Sequence, residues 1–400
     1  MRPFAWFPRV SLLLLATVPA LGARFHVTVA HDLAIARPGE VIVIPFAEVR
    51  QRLPDVKMFH LQVRDAATAA ILPSQVTNFV PDDRRALYND LVFQYDFAAG
   101  QKSARFVIET TDMPVPPFPA RVSARYVPER LDDFAWENDR MGHRIYGPGL
   151  DTPAAGRSRM ISSGIDFWAK RVRYPIVDRW YLKGHDAYHV DTGEGLDFYS
   201  VGTTRGAGGT GIWREEKLHV SHNWAAWRVL ANGPIRAVFE IDYAPWKAGE
   251  VTVRETKRFI VDAGRNLDRV ESTFTVEGGA APADLTVAIG LGTNPKLKPV
   301  ITRNEQEEWI SDWSVYANPA EGALGTAVVL EPGGRHGFAQ DESNHLILAR
   351  HQAGEPLVYY VGGGWTHSGD FRSQADWEAY LSAFAQRLRA PVTVTYDSAP

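Results

Sequence analysis

Apolar residues in this chain come in short alternating runs, and a Gly, Pro, Asn or Asp closes nearly every one. A period of two sends successive side chains to opposite faces of a strand, so a chain written this way folds into sheets rather than helices. The runs FHVTVA, EVIVIPF, MFHLQVRD, AILPSQV, DLVFQYDF and ARFVIET predict a β-sandwich or barrel over residues 24–125. Further on, WAAWRVLANGPIRAVFEIDYAPW, VTVRETKRFIVDAG, LDRVESTFTVEGG, ADLTVAIGLG, GTAVVLEPGG, HLILARH and PLVYYVGGGW predict large antiparallel sheets over residues 126–400. Within them Val251, Val253, Thr256, Arg258 and Ile260 are read as one alternating series, with one polar, concave sheet face. The fold class is therefore mostly β, with one C-terminal helix. That helix starts at Ser373, which can cap it, and carries Trp377, Tyr380, Leu381, Phe384 and Leu388 at helical spacing before Pro391.

Two features mark the division between the modules. The segment TDMPVPPFPARV, residues 111–122, has the proline density of a linker, and no tryptophan lies between Arg24 and Ala135 although the chain has 12. Residues 1–23 read as a secretory signal: Arg2 and Arg9, an apolar stretch from Val10 to Val18, then small residues up to Ala23. The expected location is periplasmic or secreted. No later stretch is long and apolar enough for a membrane span.

The chain has no cysteine, which excludes disulfides and thiol chemistry. Its formal charge is −4, and loss of the signal's two arginines makes it more acidic, so nucleic acid is a poor partner.

Residues 163–213 pack Lys, Arg, His, Asp, Glu, Tyr and Trp between glycine turns, a composition for binding or catalysis rather than for filling a core. Tyr188, His189, Asp191 and Glu194 form the strongest acid/base group, with Asp191 sharing a face with His189 if the segment is extended. Tyr188 or Tyr181 is an alternative base. Lys170 and Arg171 supply cations, of which only one can enter a site from a strand. Asn138, Arg140, Arg144 and Tyr146 share one face if they lie on a strand and would make a second, substrate-binding wall. Trp213, Trp365 and Trp180 are candidates for stacking on sugar rings, and His219 and His222 read as structural. His185, Asp186, His189, Asp191 and Glu194 are metal-binding types, but no spacing motif for zinc or calcium is present, so neither metal nor cofactor is expected. The glycines from Gly202 to Gly211 lack the ending of a phosphate loop.

The strings WENDRMGHRIYGPGL, GIDFWAKRVRYPIVDRWY, YHVDTGEGLDFYSVG, GGTGIW, NGPIRAVFEIDY and GGGWTHSGDF together resemble a bacterial family of unknown function, number 4861, found chiefly beside polysaccharide-degrading enzymes. The strand-rich centre is similar to the supersandwich of galactose-mutarotase-like proteins. The resemblance implies a carbohydrate-active protein, and some relatives are associated with eliminating water from the terminal uronate of algal oligosaccharides. Gly142-His143 and Thr366-His367 depart from the family pattern, so no role for His143 or His367 is carried over.

Elimination beside a carboxylate needs a cation to neutralise that carboxylate, a base for the α-proton and an acid for the leaving oxygen. Residues 163–213 contain candidates for all three, which makes a lyase or dehydratase acting on uronate-containing oligosaccharides the leading expectation. Two alternatives remain open. One is a glycoside hydrolase pairing Asp191 with Glu194 or Asp166, and the other is a non-catalytic carbohydrate-binding protein.

Overall fold

The computed structural model describes residues 23–78, 88–277, 284–294 and 296–397. The expected signal, residues 1–23, lies outside the described residues but for Ala23. Strands Arg24–Ala30, Leu61–Asp65, Ile71–Leu72 and Ser103–Thr110 form one N-terminal sheet, and Arg37–Pro45, Ser74–Thr77 and Asp90–Phe97 form a second. Their alternating apolar faces meet in a core of Phe25, Val27, Ile42, Phe93 and Phe106. The strand Thr393–Tyr396, expected in the second module, crosses back and pairs with Arg24–Ala30, placing Val27 opposite Tyr396. Val392, Val394 and Tyr396 are apolar at alternate positions and pack on that same core.

The larger part contains a five-stranded and an eight-stranded antiparallel sheet, face to face around Phe239, Phe259, Val261, Val287, Ile289 and Tyr359. In strand Val251–Asp262 the inward residues are Val253, Glu255, Lys257, Phe259 and Val261. This corrects the sequence series, which changed face midway and left Thr256, Arg258 and Ile260 on the outer side. Glu255 and Lys257 pair in the core, where Thr210 donates to Glu255 at 2.8 Å. Helix Gln374–Arg389 has its N-cap where expected, with Ser373 accepting from Asp376 N. It covers the outer face of the eight-stranded sheet through Trp377, Leu381, Phe384 and Ala385. Among the described residues two further α-helices are only seven residues each, Phe46–Arg52 and Val177–Lys183.

A third layer positions the site. Strands Ser123–Val127, Asp133–Glu137, Met141–Ile145, Asp166–Lys170 and Gly195–Leu196 form another antiparallel sheet. Phe134 and Trp136 turn towards Phe239 and Phe259 of the sandwich. The alternate residues Ala135 and Trp168 turn the other way, under helix Val177–Lys183 and its Val177, Trp180 and Tyr181. Asp133, Glu137, Arg144, Asp166 and Lys170 lie on this second face, so the polar chemistry collects between the small sheet and that helix.

Candidate active site

Arg144 is the hub. Antiparallel register sets it directly opposite Asp166, and its Nε donates to Asp166 Oδ2 at 2.7 Å. One terminal nitrogen donates to Asp197 Oδ2 at 2.9 Å, and the other to the Tyr188 hydroxyl at 3.1 Å and to Asp133 Oδ2 at 3.5 Å. The guanidinium also lies over the rings of Tyr146, Trp168 and Tyr188. Burial works against its charge, yet Asp166, Asp197 and Asp133 hold its pKa well above the usual range. The carboxyls feel the opposite imbalance. Burial pushes Asp133 up to about 6 against the pull of Arg144 and Arg130, and burial together with Asp166 pushes Asp197 well up. Tyr181 donates its hydroxyl to Asp133 at 3.2 Å.

Above this hub the turn Ala187–His189 opens to solvent. Tyr188 is 2 % exposed. Its hydroxyl receives hydrogen bonds from Arg144 and, at 3.4 Å, from Arg130 Nε, and lies 2.7 Å from Nδ1 of His185. With two guanidinium donors on the phenol oxygen, its own proton goes to His185 Nδ1, so neutral His185 carries its proton on Nε2. Burial, then the positive charge of Arg130, lowers the His185 pKa and keeps it neutral. In its neutral form His189 has the other tautomer: its Nδ1 lies 2.7 Å from the Asp197 carbonyl, which can only accept, so Nε2 is the nitrogen without a proton. The two rings meet edge to face at 4.9 Å, and the His189 side chain is 39 % exposed. One open imidazole can thus take a proton beside another that presents N–H.

A second group, of which the cation is the exposed member, flanks the same segment. Arg171, with its side chain 35 % exposed, pairs with Asp191, donates to His367 Nδ1 at 2.9 Å and covers the Trp365 ring at 5.0 Å. Phe198 bridges the ring cluster at 6.0 Å from Trp365 and 4.6 Å from Tyr316.

The structure therefore brings Arg144, Tyr146, Tyr181, Tyr188 and His189 together, whereas Arg171 and Asp191 form a separate group with His367 and Trp365. Trp365 and Trp180 are buried, 1 % and 2 % exposed, so neither offers a face for a sugar ring as expected from the sequence. Other expected members go elsewhere. Lys170 is wholly buried: Nζ donates to Glu137 Oε2 at 2.6 Å and to the Asn138 carbonyl at 2.7 Å, and Glu137 accepts from the backbone N–H groups of Ile176 and Val177 at the helix start. An ammonium closed in this way has no open face for a substrate. Asn138 and Arg140 do not share the Arg144 face, because residues 138–140 turn the chain between two strands instead of continuing one. Asn138 accepts from Arg140 N and Met141 N, donates to the carbonyls of Asp262 and Arg265, and so locks that turn. Arg140 pairs with Asp370.

Asp191 does not orient His189, since the turn is not extended. It accepts from Gly193 N and Gly195 N besides Arg171, and these bonds outweigh burial and lower its pKa. Glu194 binds Lys183 at 2.8 Å, Arg179 at 2.7 Å and Tyr174 at 3.0 Å, which against burial hold it at about 2. Trp213 packs with Ala288, Leu346 and Leu348 on the five-stranded sheet, not at the site. Sequence reasoning does not single out Asp133, Arg130 or Asp197, and treats His185 only as a metal-binding type. The alternation Asp133, Ala135, Glu137 along one strand face is the signal for the first of them. Among the described residues no group of His, Asp and Glu is arranged to hold a metal ion.

A family model described as "Domain of unknown function (DUF4861)" matches residues 29–394. The chain belongs to the DUF4861 family. Uncharacterized protein P7 of Formosa agariphila is 31% identical to this DUF4861 protein over 382 residues, covering 92% of each chain. An α-mannosidase from Enterococcus faecalis V583 aligns with a TM-score of 0.47 at 11% identity, covering 94% of this chain and 46% of that one. A glycosyl hydrolase family 38 protein from Enterococcus faecalis gives 0.49 at 11% identity, covering 94% and 48%. The DUF4861 chain thus spans about half the length of those two structures.

Proposed function

We propose that this DUF4861 protein is a carbon–oxygen lyase that performs β-elimination on uronate-containing oligosaccharides. The observation that carries the reading is the histidine pair of opposite tautomers, His189 with bare Nε2 and His185 with Nε2–H, each fixed from below by Asp197 or Tyr188. His189 Nε2 removes the proton on the carbon next to the carboxylate, and the electron pair moves into that carboxylate. In this proposal Arg171, the part-exposed cation paired with Asp191, is assigned to neutralise it, while the His185 N–H donates to the developing negative charge. The electrons then return to form the carbon–carbon double bond as the carbon–oxygen bond breaks. The leaving oxygen takes the proton from the His189 imidazolium, so the base is regenerated and the products are an unsaturated uronate and water or an alcohol. Arg144, Asp197 and Tyr188 act as positioning residues.

The choice of a uronate rests on the family resemblance to proteins found beside polysaccharide-degrading enzymes. Hydrolysis by paired carboxylates is disfavoured, because a general acid must be protonated and both Asp191 and Glu194 have lowered pKa values. Asp166 is buried against Arg144. The same proposal includes a periplasmic location, reached through the secretory signal expected at residues 1–23.

Incubation with uronate oligosaccharides, followed by absorbance of the conjugated product, tests the reading. A rising ultraviolet signal supports elimination. New reducing ends without absorbance indicate hydrolysis, and saturable binding without either product indicates a binding protein.

A further inference from the structure

The N-terminal sandwich, the outer face of the eight-stranded sheet and helix Gln374–Arg389 meet around a cavity of about 380 Å³. Its charges do not balance. Arg236 is matched by Asp262 through two bonds of 2.6 and 2.8 Å, and Arg269 by Glu271 at 2.8 Å and Glu331 at 3.4 Å. The remaining three arginines share one carboxylate. Glu40 lies 2.9 Å from Arg37, 2.6 Å from Arg387 and 3.6 Å from Arg265. Among the described residues no other carboxylate lies within ion-pair distance of these three.

All four side chains are largely buried, and Arg265 Nε is buried with no hydrogen-bond partner. Unmatched charge away from water is costly, and a guanidinium fork with free N–H groups fits a planar or tetrahedral oxyanion. The imbalance acts on the groups themselves. Although burial opposes it, the three arginines hold Glu40 at about 2, while burial and the neighbouring charge of Arg265 depress Arg387 to about 10. Ile260, Phe384 and Leu388 supply an apolar flank, and the volume far exceeds that of a bare ion.

We propose that this cavity is a second, anion-binding site, which takes an oxyanion group (carboxylate, sulfate or phosphate ester) carried on a small organic molecule, with Arg265, Arg387 and Arg37 as its ligands. The site lies on the outer face of the eight-stranded sheet and does not depend on the elimination reading.

The test is isothermal titration of the full chain with D-glucuronate, inorganic sulfate and inorganic phosphate, each at constant ionic strength set with sodium chloride. At least one of the three is expected to bind saturably, and the preferred one identifies the oxyanion. Arg265→Gln should weaken that binding at least about tenfold, the scale of one lost charge-assisted contact. Glu40→Gln, which removes the competing carboxylate, should strengthen it, and Arg171→Gln should leave it unchanged. Absence of saturable binding by all three probes would overturn the proposal. So would equal affinity in wild type and Arg265→Gln, and a loss confined to Arg171→Gln would move the anion to the histidine cleft. If Arg265→Gln does not fold, Arg265→Lys, which keeps the charge and loses the fork, should give a several-fold weaker complex, and unchanged affinity would again reject the site.

Discussion

Arg144 and His189 hold two ends of one residue: the guanidinium binds the Asp197 carboxylate at 2.9 Å, and the imidazole Nδ1 donates to the Asp197 carbonyl at 2.7 Å. The buried hub and the exposed base are thereby mechanically joined, and movement of Asp197 changes both the tautomer and the aim of His189.

His189→Ala should lower turnover by about a hundredfold or more with the fold intact, the usual contribution of a general base. Steady-state kinetics alongside circular dichroism would check this. A variant with wild-type turnover would remove His189 from the reaction.

Arg144→Ala should be a stability variant before it is a kinetic one. Removing the guanidinium leaves Asp166, Asp197 and Asp133 buried without their cation, which costs about 3–5 kcal/mol. Urea denaturation should show a lower midpoint. An unchanged midpoint would mean that the cluster is open to water.

Lys170 and Arg171 should separate cleanly. Lys170→Met breaks a buried pair with Glu137 and should destabilise by about 3–5 kcal/mol. Arg171→Gln, at an exposed position, should leave stability nearly unchanged while raising KM and lowering kcat. A KM effect from Lys170→Met in protein of normal stability would contradict its closed position.

The pH dependence of stability should carry the signature of Asp133. Its folded pKa of about 6 lies above its ordinary value of 3.8, so its stabilising contribution is complete below about pH 4 and is lost as pH rises through about 6. The loss is about 3 kcal/mol. Asp133→Asn, which keeps an acceptor for Tyr181 and cannot ionise, should show a smaller decline in midpoint between about pH 4 and pH 7. Parallel profiles for the two proteins would place the proton elsewhere.

The strands and the final helix were legible because their burial depends on local period: Ser373, Trp377, Leu381 and Phe384 announce a capped amphipathic helix without reference to the rest of the chain. The meeting of Arg144, Tyr188 and His189 was legible as composition. Its geometry was not. Asn138 and Arg140 were misplaced because a hairpin turn and a continuing strand look alike over three polar residues. Lys170 was misread because its partner Glu137 lies 33 positions away across the sheet, and no local pattern distinguishes a cation that is buried and paired from one that faces a cleft. Glu255 and Lys257 hid the face of their strand for the same reason, since alternation identifies the inner face only when the inner residues are apolar.

Thr395 bonds to Thr28 across 367 positions of sequence. The sheet holding Arg24–Ala30 therefore remains one strand short until residues 393–396 reach it. Until then that strand presents unpaired N–H and C=O groups along a free edge, the geometry most prone to pairing with another molecule. The folding step most sensitive to crowding is then the one in which Thr393–Tyr396 arrives to seal that edge.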